Sequence, residues 1–134
     1  KASSAVPLQP PGGVQMRIRH HPRVLKTIDI KRPPVDLTGR ALEQWNELGG
    51  TLAEANQLAQ VDRNLFVTYC VVFARWRQAE ERVAELGLLV QSPTGTPVPN
   101  PFLRIANEAI GQLRELGDRI GLSPSARDEL RRKT

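Results

Sequence analysis

One stripe of apolar side chains constrains this chain more than anything else in it. Leu65, Tyr69, Val72, Trp76, Ala79, Val83 and Leu86 follow one another in alternating steps of four and three between Asp62 and Gly87, the spacing that keeps one face of an α-helix apolar along its whole length. It predicts a helix over about 62–86. The two halves of that helix differ in character. In the first half, Phe66, Cys70 and Phe73 add a second apolar row and Val67, Val71 and Ala74 a third, so this part must be covered on nearly every side. From Arg75 onward, Arg77, Gln78, Glu81, Arg82 and Glu85 leave only the stripe apolar. That half is expected to meet water.

A second long helix is predicted over about 101–120. Asn100-Pro101 supplies an N-cap and a proline in the first helical position, and Gly121 follows the end. Its apolar residues Phe102, Ala106, Ala109, Leu113, Leu116 and Ile120 also step by four and three, with Arg104–Glu108 and Glu115–Arg119 as outward pairs. Two short helices are expected ahead of the long ones. Thr38 caps the first, with Leu42, Trp45 and Leu48 on one side and Gly49-Gly50 as its stop; Thr51 caps the second, which runs through Gln60 with Leu52, Ala55, Leu58 and Ala59. Leu88-Leu89-Val90 and Val98 flank the turn-forming Ser92-Pro93-Thr94-Gly95-Thr96-Pro97, a short hairpin or extended loop over 88–99. Ser123-Pro124 opens a C-terminal helix, Ala126 to Arg132. The class is all-α, a helical bundle, and aromatic residues at 4% argue against an all-β alternative.

Charge divides the chain further. Residues 1–34 hold six Pro and two Gly, with seven bases against one acid, so they read as a basic, Pro/Gly-rich flexible arm. Residues 35–134 form a near-neutral helical oligomerisation domain. Overall the 134 residues carry a net charge of +5, and fifteen of the nineteen bases are Arg, which suits an acidic partner. The longest apolar run, Leu65 to Ala74, is about half a bilayer span, and a soluble protein is expected. Lys1 stands where an initiator Met would be, so the numbered chain is expected to be a processed, truncated or partly observed form.

The first half of the long helix has more apolar faces than one antiparallel partner covers. Side-by-side association of several copies as an obligate homo-oligomer is one solution, with Leu65, Phe66, Tyr69, Val72, Phe73, Trp76, Phe102, Leu113 and Leu116 as the interface. The other solution is that the two short helices cover those faces within one chain.

No constellation for catalysis is present. His20-His21 are adjacent in the arm, where neighbours on an extended backbone point to opposite sides. Cys70, the one cysteine, excludes an internal disulfide, fits a reducing compartment, and sits in the most apolar stretch, which makes its thiol inert packing. Glu80, Glu81 and Glu85 form an acid-rich helix surface that complements nearby Arg, and Pro11-Gly12-Gly13 lacks the spacing of a phosphate loop. No catalytic residue, metal ligand or cofactor is expected.

What remains is the basic arm. Arg17, Arg19, Arg23, Lys26, Lys31 and Arg32 carry the charge pattern of phosphate-backbone contact, and 34 extended residues reach on the order of 100 Å. A solubilising tail or an expression remnant has the same composition. Arg127, Arg131 and Arg132 near the C-terminus form a second candidate set, although cations there also complement a helix dipole. The two short helices around Gly49-Gly50 have the layout of a helix-turn-helix, but from Val35 to Val61 the only base is Arg40, against Asp36, Glu43, Glu47 and Glu54. Such a hairpin repels phosphate, and packing is its better reading.

Five passages in succession carry a resemblance: Ala41-Leu42-Glu43-Gln44-Trp45-Asn46-Glu47-Leu48, Tyr69-Cys70-Val71-Val72-Phe73-Ala74-Arg75-Trp76, Gly87-Leu88, Asn100-Pro101 and Gly121-Leu122-Ser123-Pro124-Ser125-Ala126-Arg127. From about Pro33 to Leu130 the chain resembles the small subunit of a tailed-phage terminase. The resemblance implies a non-catalytic DNA-recognition and regulatory component of the packaging motor. It implies a ring-shaped helical oligomer that binds double-stranded viral DNA in the host cytoplasm and presents it to the large subunit, which holds the ATPase and nuclease. Small subunits of other phage groups read DNA with an N-terminal helix-turn-helix, which the acidic segment here does not fit. Two rival readings stand beside it: a phage head adaptor that binds only protein, and a small helical enzyme completed across subunits at Glu80, Glu81 and Glu85.

Overall fold

The structure is a computed structural model and describes residues 25–132. The expectations placed on Arg17, Arg19, Arg23, His20-His21 and Lys133 lie outside the described residues.

Among the described residues, four α-helices and one β-hairpin follow in order: α1 Gly39–Glu54, α2 Arg63–Leu86, β1 Leu89–Gln91, β2 Pro97–Pro99, α3 Pro101–Arg119 and α4 Pro124–Arg132, with a 3-10 turn at Gln60–Asp62 ahead of α2. α2 and α3 lie antiparallel as the main pair, and α1 packs on the first half of α2. The termini of the long helices follow local chemistry. Asn100 accepts the Phe102 N–H at 3.0 Å through its side-chain oxygen, beside a proline in the first helical turn, and Gly87, at φ 81°, closes α2.

The two short helices do not exist as expected. α1 runs unbroken through Gly49-Gly50 to Glu54, and Thr51, expected to cap a second helix, instead donates its hydroxyl to the Glu47 carbonyl within α1. The physical reason is tertiary. A Cβ on Gly49 would stand 2.6 Å from Ile30 Cδ1 and 3.0 Å from Phe66 Cε1, so this glycine lets α1 press against its neighbours, and its cost inside a helix is offset by that contact. Residues 55–62, expected to be helical as far as Gln60, form a turn with Asn56 at φ 51° and then the 3-10 turn. The Asp62 carboxylate accepts no N–H of the first turn of α2; it accepts the Ala59 N–H instead, at 3.2 Å.

The core gathers Ile28, Leu37, Ala41, Trp45, Leu52, Leu58, Phe66, Cys70 and Ile120. Trp45 anchors it: its ring lies 5.3 Å from that of Phe66, its Nε1 donates to the Ile30 carbonyl at 2.9 Å, and the Arg63 guanidinium sits 5.7 Å over its face. Residues 25–34, read from sequence as the end of the arm, are laid on this core. Thr27 bridges Ala59 in antiparallel fashion, and Ile28 N–H donates to the Leu58 carbonyl at 3.0 Å.

At the opposite end the hairpin pairs Leu89 with Pro99, Val90 with Val98 and Gln91 with Pro97. The Asn100 N–H donates to the Leu88 carbonyl and the Ser92 N–H to the Thr96 carbonyl. By the alternation of an antiparallel ladder, Pro97 and Pro99 therefore stand on the outer edge of β2, where no N–H is needed for the pairing.

Candidate nucleic-acid interface

The described bases nominated from sequence fall into two groups. Lys26, Lys31 and Arg32 lie on the segment that leads into α1, and Arg127, Arg131 and Arg132 on α4. The fold brings the first of these segments to the second. Leu25 and Thr27 line a cavity of about 560 Å³ together with Asn56, Gln57, Asp62, Arg119 and Leu130, and Asn56 and Gln57 line a smaller one of about 280 Å³ with Arg127 and Arg131. Residue 25 thus stands beside α4.

The side chains are held differently. Lys31 is exposed, and Arg32 is exposed and pairs with Asp29 at 3.4 Å. Arg132 is exposed at the end of α4, and Arg131 lies 3.9 Å from Asp128. Such exposed pairs are weak and yield readily to a phosphate. Arg127 is the exception: its Nη1 donates to the carbonyls of Gly121 at 3.3 Å and Leu122 at 3.1 Å. Those carbonyls follow the C-terminal end of α3, where acceptors lack helical partners. Gln57 donates to the same place, at 2.6 Å to Gly121 and 3.3 Å to Ile120. Sequence reasoning marked Gly121 as a helix stop but had no signal for Gln57, whose partner is 64 positions away.

The nine expected interface residues also separate. Phe66 and Val72 are buried within one chain; Leu65 and Tyr69 pack against the core, and Phe73, Trp76, Phe102, Leu113 and Leu116 are half-buried along α2 and α3. Phe73 and Trp76 pair at 5.7 Å between ring centroids, and the buried indole N–H of Trp76 has no hydrogen-bond partner among the described residues. The row Val67, Val71 lines an open groove of about 450 Å³ with Thr68, Val72, Arg75, Gln112 and Leu116. Coverage within the chain therefore reaches all three apolar rows, since Val67 and Ala74 of the third also pack against the core, while Val71 keeps 39% of its surface.

The remaining chemistry is quiet. Cys70 is fully buried, and burial pushes its thiol up to about 12. Burial likewise raises the Tyr69 phenol. Glu81 pairs with Arg40 and Glu85 with Arg82, and among the described residues no three His, Cys, Asp or Glu side chains are grouped to hold a metal ion. No helix among them is long and apolar enough to cross a membrane.

The family model for the small subunit of phage terminases matches residues 41–134, well over half of the chain. The chain belongs to that family. Membership carries a role in phage DNA packaging, and in the terminase the small subunit is generally the non-catalytic one. The resemblance drawn from residue succession between Pro33 and Leu130 holds over most of that span. No curated protein and no solved structure matches the chain.

Proposed function

We propose that this terminase small subunit is the DNA-recognition and regulatory component of the packaging motor. It assembles as a ring, binds double-stranded viral DNA in the host cytoplasm, and presents it to the ATPase and nuclease of the large subunit. The domain division follows the same logic: the basic arm grips DNA, and the helical body assembles. One observation carries the DNA-binding part, the convergence of the basic segment and α4 on one edge of the molecule. The bases assigned to phosphate contact are Arg17, Arg19, Arg23, Lys26, Lys31 and Arg32 of the N-terminal segment and Arg131 and Arg132 of α4, with Arg127 near the start of that helix. Phosphate contact there releases counterions, so affinity falls steeply with salt. The acidic outer residues of α1, Glu43, Glu47 and Glu54, keep that helix away from the DNA.

Ring assembly is supported by the groove along α2 and α3, whose Val67, Val71 and Leu116 are apolar and incompletely covered. Phe73, Trp76, Phe102 and Leu113 are half-buried and have surface left to give to a neighbour.

Light scattering behind size exclusion, with and without a DNA duplex at low and high salt, tests both parts. A large discrete oligomer that retains DNA at low salt and releases it at high salt is the expected result. A monomer overturns the ring. An oligomer indifferent to DNA at every salt concentration overturns DNA recognition and favours an adaptor that binds protein alone. Replacing the six arm bases weakens binding and flattens its salt dependence; unchanged affinity removes the arm from the interface.

A further inference from the structure

We infer that Gln57 and Arg127 are positioning residues for the phosphate-binding edge, locking α4 onto the end of α3 so that Arg131 and Arg132 stand beside the basic N-terminal segment. The inference rests on the DNA-binding reading above and assigns different roles within it.

The geometry centres on Gly121. Its carbonyl accepts Gln57 Nε2 at 2.6 Å and Arg127 Nη1 at 3.3 Å, and Arg127 Nη1 also reaches the Leu122 carbonyl at 3.1 Å. With φ at +76°, Gly121 holds a backbone conformation that favours glycine, and its surroundings are tight: a Cβ would lie 3.1 Å from Leu130 Cδ1, 3.2 Å from Gln57 Nε2 and 3.4 Å from Arg127 Cγ. Three segments therefore meet over one glycine, namely the turn after α1, the end of α3 and the body of α4. The turn is tied onward to the basic segment, because Thr27 Oγ1 lies 3.2 Å from Asn56 Oδ1 and Gln60 N–H donates to the Lys26 carbonyl at 2.7 Å. α4 has nine residues and ends in Arg131 and Arg132. So short a helix does not hold itself in place, and its direction is set by these anchors. Arg127 spends both hydrogens of Nη1 on carbonyls from the end of a planar group; a lysine side chain is one bond shorter, and its flexible, strongly hydrated ammonium holds such a bridge less well.

A phosphate-contacting residue and a positioning residue leave different marks on DNA binding. Loss of a contact lowers the slope of log affinity against log salt by about one. Loss of an anchor leaves the contacts available but requires α4 to be ordered on binding, so affinity falls at every salt concentration while the slope stays. Gln57→Leu and Arg127→Lys, in the full chain with a DNA duplex, are each expected to weaken binding about three- to tenfold, with an unchanged slope. The double variant is expected to be no weaker than the poorer single one, since both anchors fix one element. Arg131→Gln and Arg132→Gln should each lower the slope by about one.

Amide hydrogen exchange of α4 without DNA supplies the independent arm, with faster exchange expected in Gln57→Leu while α2 keeps its protection. Wild-type exchange in α4 overturns the inference whether or not DNA binds. Wild-type affinity in Gln57→Leu, retained affinity in Arg127→Lys, or a slope lowered by Arg127→Lys overturns it too. Absence of salt-sensitive DNA binding in the unmodified protein instead defeats the DNA-binding reading, and the exchange result then decides the anchoring on its own.

Discussion

Phe66 and Cys70, in the first half of α2, have no exposed surface, whereas Leu86 at the other end of the same helix keeps 51% of its own. Around Phe66 the cover comes from α1, from Ile30 on the incoming segment and from the Phe66–Trp45 ring contact. Beyond Leu86, Leu88 and Leu89 remain 63% and 62% exposed. Burial of apolar area is the main source of stability, so the packed end, which holds the largest fully buried apolar side chains, carries the greater share of the folding free energy. The hairpin end is held by backbone turns and by Asn100, whose Nδ2 donates to the Gly87 carbonyl at 2.8 Å.

Substitutions can break this contrast. Trp45→Ala removes the centre of the packed end together with the Ile30 hydrogen bond, and is expected to cost about 3–5 kcal/mol in chemical denaturation. A loss below about 1 kcal/mol would show that the core is not where the burial places it. Next in size is a paired test in one helix. Gly49→Ala forces a methyl into Ile30 and Phe66 and is expected to cost about 1–3 kcal/mol. Gly50→Ala meets nothing within 4 Å and is expected to gain about 0.5–1 kcal/mol. Equal effects at the two positions would contradict the close approach of α1.

At the hairpin end, Asn100→Ala loses the α3 cap and the Gly87 bond, for about 1–2 kcal/mol, readable as faster hydrogen exchange in the first turn of α3. The smallest change is expected for Leu88→Gln with Leu89→Gln, no more than about 0.5 kcal/mol in the same denaturation measurement. A loss comparable to that of Trp45→Ala would mean these leucines are buried in the folded state.

The same contrast explains what could be read from the residues alone. The bounds of α2 and α3 were legible because Gly87, Asn100-Pro101 and Gly121 act on their own immediate backbone. Gly49-Gly50 misled because a glycine that ends a helix and a glycine that lets two helices touch are the same letter; the difference lies in Ile30 and Phe66, 19 and 17 positions away. The basic character of both ends of the chain was plain from composition. That residue 25 emerges beside α4 was not, because it depends on Thr27 bridging Ala59 and on Gln57 reaching Gly121. Such pairings leave no local pattern.

The two prolines of β2 have a consequence for crowded solution. A strand arriving at that edge would find the carbonyl oxygens of Pro97 and Pro99 but no N–H at either position, so each pair that should exchange two hydrogen bonds could make only one. Sheet growth from one hairpin to the next is thereby discouraged on this side.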